Sequence, residues 1–121
     1  MDAGNKVDRE LAIPMLRRAF ELGVTYFDTA VGYGNADSQP TLGEAVEPFR
    51  DRIILSTKNP MHKETQDVWW ARLENSLRLL RTDHLDIYNF HGMRWKTFTE
   101  FIDIPSMLAN AHQHCSGSAA G

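Results

Sequence analysis

The chain has 121 residues, 42% of them hydrophobic, and a formal charge of −3, which suits one soluble domain with a modest core. Its 13 Lys and Arg against 16 Asp and Glu form no long basic block, so the clustered cations that non-specific nucleic-acid binding needs are lacking. No apolar run nears the roughly 20 residues of a membrane helix. The polar start Met1-Asp2-Ala3-Gly4-Asn5-Lys6 is unlike a signal peptide, and a single cysteine, Cys115, permits no internal disulfide, so a cytoplasmic location is expected.

Helical and strand-like patterns alternate, which predicts βα units around a parallel sheet. The first helix is expected from Asp8, a good N-cap, to Leu22 before Gly23, with Leu16, Ala19 and Phe20 on one face. Pro14 removes a hydrogen bond from a helix interior, so regular helix is expected only from near Ile13. A strand over Val24 to Asp28 then enters a loop bracketed by Gly32 and Gly34. Thr41-Leu42-Gly43-Glu44 has capping-box spacing and predicts the start of a short helix, stopped by Pro48.

The second strand is expected over Arg52 to Thr57, and Asn59-Pro60 opens a loop. The clearest helix runs from about Thr65 to Leu80, with Trp69, Leu73, Leu77 and Leu80 as its apolar stripe and Trp70 at the flank. Glu74 and Arg78 are spaced for a surface pair. The turn Thr82-Asp83-His84 leads to a third strand, Leu85 to Phe90. Helical pieces are expected over Trp95 to Ile102 and Ser106 to His114, with a break at Asp103-Ile104-Pro105 and a flexible tail from Cys115.

Each strand carries an ionisable residue at, or one step past, its C-terminal end: Asp28, Lys58 and His91. Tyr33 follows Asp28 by five residues. In a parallel α/β sheet these ends share one face, where sites form. Taken singly, each residue has a plainer use: Asp28 as a turn residue, Tyr33 as a packed loop aromatic, Lys58 as a solvated lysine, His91 as a structural histidine. Together they suit one task. A nearby ammonium makes a phenol a better acid, a carboxylate keeps a buried ammonium charged, and a neutral imidazole orients a substrate oxygen. Such a set delivers a proton to a carbonyl oxygen. No side chain donates hydride to the carbon, so a nicotinamide cofactor is implied.

The run Ala19-Phe20-Glu21-Leu22-Gly23-Val24-Thr25-Tyr26-Phe27-Asp28-Thr29-Ala30 with Tyr33-Gly34 resembles the aldo/keto reductase signature. The likeness continues through Ser56-Thr57-Lys58, Ser76-Leu77, Leu85-Asp86-Ile87-Tyr88 and His91. It implies an α/β fold, part of a (β/α)8 TIM barrel, with about three parallel strands and flanking helices. It also implies NADPH or NADH as cofactor and a small-molecule aldehyde or ketone as substrate. In these terms Tyr33 is the proton donor, Lys58 sharpens its acidity, Asp28 pairs with Lys58 and lies near the nicotinamide ribose, and His91 orients the carbonyl. Lys58-Asn59 and Asn89-Phe90-His91-Gly92-Met93 resemble a bacterial branch with an iron–sulfur tail, but no such cluster is expected here.

A full barrel takes about 250 residues. On this reading residues 1–105 are a partial barrel, units one to four without the first strand, and residues 106–121 a divergent, flexible tail. The family would continue with a Gly-Lys-Ile/Val-Arg turn and a strand leading to Gly-x-Ser, where this chain reads Ser106-Met107-Leu108-Ala109-Asn110. The cofactor site is therefore expected to be incomplete, and Gly32 and Gly34 supply only two glycines of a dinucleotide-binding loop. Three strands leave two sheet edges unpaired, which favours a homo-oligomer or a partner chain. The alternative to a reductase is thus a non-catalytic half-barrel that self-associates. His112, His114 and Cys115 are metal-ligand types, but three without a fourth predict no metal site.

Overall fold

The computed structural model describes residues 7–61 and 65–116. Helix α1 spans Arg9–Glu21. Asp8 starts it through its backbone carbonyl, which accepts from Ala12 N–H at 2.8 Å and Leu11 N–H at 3.2 Å, while its carboxylate makes no cap bond. The helix includes Pro14 rather than beginning near Ile13. Proline there deprives only the Glu10 carbonyl of its donor, and α1 buries none of its residues, so water can serve that carbonyl. The helix ends in a Schellman motif, with Gly23 N–H on Phe20 O and Val24 N–H on Ala19 O, both at 3.0 Å. Gly23 has φ +106°, a conformation that a side chain disfavours.

Strand β1, Tyr26–Asp28, pairs in parallel with β2, Ile54–Asn59, which pairs in parallel with β3, Ile87–Phe90. The sheet order is β1-β2-β3, with Asp28 opposite Ser56 and Asn59 opposite Phe90. All three C-terminal ends therefore lie on one rim. β2 sits two residues later than expected, because Arg52 belongs to the 3-10 segment Glu47–Arg52 that follows α2. Pro48 lies in the first turn of that segment, and Phe49 kinks it at φ −132° and ψ 28°.

Helix α2, Ser38–Val46, begins before the expected capping box. Thr41 lies inside it, and its hydroxyl donates back to Asp37 O at 2.7 Å instead of capping. Pro40 occupies the first turn, where its missing N–H is of no consequence. Helix α3, Gln66–Leu79, starts after Thr65 as expected, and both Trp69 and Trp70 are buried, so the second tryptophan is core rather than flank. Arg78 donates to Asn75 Oδ1. Past its end Arg81 takes φ +57°, with Thr82 N–H on Leu77 O at 3.1 Å, a second Schellman motif.

Two apolar clusters fill the layer between sheet and helices. Phe27 and Leu55 from the strands pack with Leu42, Val46, Phe49, Ile53 and Leu80. In the second, Met61, Trp69, Trp70 and Met107 pack with Tyr88 and Phe90 of β3. Alternation along the strands sends Tyr26, Ile54 and Ile87 to the opposite face, where all three are exposed. Helix α4 spans Trp95–Phe101 and α5 spans Ile104–Ser116. Pro105 sits in the first turn of α5, and Asp103 caps it by accepting from Ser106 N–H at 3.3 Å. Met107 is buried, and Ser106 accepts from Gln66 Nε2 at 2.8 Å, which ties the start of α5 to α3. Residues 117–121 of the expected tail lie outside the described residues.

Candidate active site

Asp28, Lys58, His91 and Tyr33 meet on the C-terminal rim of the sheet. Because β2 runs to Asn59, Lys58 is a strand residue and points away from the buried, helix-facing Thr57 and Asn59. Its ammonium donates to Asp28 Oδ2 at 2.8 Å and to Thr29 O at 3.0 Å. It also lies 4.9 Å from the centroid of the Tyr33 ring, within cation–π range. The His91 ring meets Tyr33 edge to face, with centroids 5.8 Å apart and an interplanar angle of 83°.

Only 16% of the Lys58 side chain is exposed, against 41% of Asp28. Burial pulls the Lys58 pKa down, but the hydrogen bond and charge of Asp28, helped by Tyr33, outweigh it, and the ammonium is held above its ordinary value.

The loop that carries Tyr33 is unusual. Gly34, Asn35 and Ala36 take φ of +62°, +54° and +68° in succession. For the two non-glycine residues a left-handed backbone costs about 1–2 kcal/mol each. Contacts on both sides hold the turn. Tyr33 N–H donates to Ala30 O at 3.2 Å, and Ser38 N–H to Tyr33 O at 3.1 Å. Arg9 closes on Asp37 at 2.7 Å, and a side chain at Gly34 would strike Val7. Thr29, buried behind Asp28, shares a 2.7 Å hydrogen bond with Ser38.

The rim rests on side chains that sequence reasoning passed over. Asn59 O accepts from His91 N–H at 3.1 Å and from Trp69 Nε1 at 3.0 Å. Tyr88 donates to Trp69 O at 2.8 Å, and its burial pushes the phenol well above its ordinary pKa. A polar residue directly after a strand lysine was the available signal for Asn59. Nothing local marked Arg9 and Asp37, which are 28 positions apart. Among the described residues no group of three or more His, Cys, Asp or Glu is placed to hold a metal, and the side chains of His112, His114 and Cys115 lie outside that description. Nor is any described helix long and apolar enough to cross a membrane.

A family model, the aldo/keto reductase family, matches residues 1–118. The chain belongs to the aldo/keto reductase family. Among its relatives, the aldo-keto reductase YhdN of Bacillus subtilis is 34% identical over 94 residues, spanning 69% of this chain and 28% of that protein. The methylglyoxal reductase YeaE of Escherichia coli is 37% identical over 95 residues, 78% of this chain and 33% of that one. A solved Klebsiella pneumoniae aldo-keto reductase, crystallised with NADPH, is 31% identical with a TM-score of 0.67, covering 96% of this chain and 37% of that one. The thermostable aldo-keto reductase Tm1743 superposes with a TM-score of 0.73 at 27% identity, over 90% of this chain and 38% of its own. These neighbours are TIM barrels, and the three parallel strands with their helices are part of that fold. The chain spans about a third of the length of the relatives and structures it matches.

Proposed function

We propose that this chain carries the proton-transfer site of a nicotinamide-dependent carbonyl reductase, acting on an aldehyde or ketone. The observation that carries the reading is the convergence of Asp28, Tyr33, Lys58 and His91 on one rim. NADPH bound to the Klebsiella relative supports the cofactor class. The residues present fit the nicotinamide end of such a cofactor. Asp28 keeps a half-exposed carboxylate that can accept from a ribose hydroxyl, beside a half-exposed Tyr33 phenol.

When bound, the nicotinamide supplies hydride to the carbonyl carbon. The Tyr33 hydroxyl gives its proton to the carbonyl oxygen, and the Lys58 ammonium stabilises the phenolate left behind. Asp28 holds that ammonium in place and charged. His91 directs the carbonyl oxygen toward Tyr33 through a hydrogen bond. The protein mixed with NADPH and a nitrobenzaldehyde is expected to consume the nicotinamide absorbance faster than a Tyr33→Phe variant, and equal rates would end the reading.

A second reading is favoured by the exposed Tyr26, Ile54 and Ile87 on one face of the sheet, and by the outer edges of β1 and β3, which pair with no further strand among the described residues. On it the chain self-associates through that face and those edges. Light scattering is then expected to give a mass of two or more chains, and a monodisperse monomer that binds NADPH rules it out.

A further inference from the structure

We infer that Asn59 is the positioning residue that holds Lys58 and His91 in place against Tyr33, an inference that rests on the reductase reading of the rim. Asn59 is 1% exposed and is the last residue of β2. Its side chain faces the helix layer while its neighbour Lys58 faces the site. The amide Nδ2 donates to Ser76 Oγ at 2.9 Å and to Arg72 O at 3.3 Å, both on α3. Ser76 is fully buried. Two further donors converge on the backbone carbonyl of Asn59. One is the indole of Trp69, again from α3, and the other is the N–H of His91.

A single buried residue therefore fastens two strand ends to one helix. Its backbone is covalently joined to Lys58 and hydrogen-bonded to His91, the two residues that flank Tyr33 at 4.9 Å and 5.8 Å. The indole that shares the carbonyl is itself stacked on Tyr88 and Phe90 of β3, each at 4.2 Å between centroids. The strand before His91 is thus clamped from the side as well as through its own backbone. With the amide anchor gone, the tip of β2 is free to shift relative to α3, and both catalytic groups shift with it. Misplacement of about 1 Å at a reacting group lowers turnover by roughly a hundredfold, whereas binding, which uses exposed rim atoms, changes little.

The test uses the full chain with Asn59→Ala and Ser76→Ala. The second variant removes one acceptor of the amide and leaves the strand residue itself intact. Two readouts are taken on folded protein: kcat and KM with NADPH and a nitrobenzaldehyde, and the nuclear Overhauser cross-peak between the Tyr33 and His91 rings. The expected result is a kcat lower by roughly 10- to 100-fold with KM within about twofold, and a weakened cross-peak. A residue with a merely structural role would lower the melting temperature and leave kcat and the cross-peak of the folded protein unchanged, which overturns the inference. If Asn59→Ala does not fold, Ser76→Ala decides. If the wild-type chain shows the cross-peak but consumes no NADPH, the reductase reading fails and the cross-peak alone judges the positioning role.

Discussion

Alanine at Gly43 is expected to destabilise the fold by about 2 kcal/mol, the balance of roughly 3 kcal/mol of overpacking against about 1 kcal/mol of improved helix propensity. Gly43 sits where α2 crosses the C-terminal end of α3. A Cβ built there would lie 2.7 Å from the carbonyl carbon, Cα and oxygen of Leu80. All three are backbone atoms, so no side-chain rotation relieves the overlap. The helices would have to separate, and with them Leu42, Val46 and Leu80 of the main apolar cluster. The melting temperature is expected to fall by about 8 °C, read by circular dichroism, with a matching drop in the urea midpoint. Gly32 has nothing within 4 Å of the same construction, so Gly32→Ala serves as the control and is expected to stay within about 0.5 kcal/mol of wild type. Coincident melts for Gly43→Ala and wild type would mean that α2 and α3 do not approach this closely.

Lys58→Met should reduce turnover by about a thousandfold, the scale of positioned acid–base catalysis. Methionine is unbranched and one atom shorter, and it removes the charge that faces both Asp28 and the Tyr33 ring. Asp28 then loses its ion-pair partner, and on the proposed mechanism the phenolate formed at Tyr33 loses its stabilising cation. The pH dependence has a definite sign. The folded-state pKa of Lys58 is raised, so the Asp28–Lys58 attraction is fully present below the unfolded lysine value of about 10.4 and is lost as pH rises through the folded value. The stability gap between wild type and Lys58→Met, measured by urea melts, is therefore expected to be constant near neutrality and to close only above about pH 10.4. A gap that closed between neutrality and that point would contradict the ion pair.

Much of the architecture was legible in order and type. The alternation of helical and strand-like periods marked three βα units, and parallel pairing followed from it, because a helix between two strands carries the chain back to the starting end of the sheet. The boundaries were less legible. Arg52 looked like the first residue of β2 until the kink at Phe49 absorbed it into the preceding turn. Thr41 offered a capping box in sequence, yet α2 begins at Ser38, with Asp37 in the N-cap position and its carboxylate held by Arg9 rather than capping the helix.

What the sequence by itself determined is the chemistry on offer. A carboxylate, a phenol, an ammonium and an imidazole stand at strand ends, because local hydrophobic runs stop there and side-chain identity needs no fold to be read. Distance is a different matter, since it depends on contacts between segments far apart in the chain. Only the tertiary structure decided that Lys58 is a strand residue 2.8 Å from Asp28, that three left-handed residues bring the Tyr33 ring over its ammonium, and that one buried asparagine ties Lys58 and His91 to the same helix. Those features rest on backbone carbonyls and long-range packing, which leave no local pattern in a single sequence.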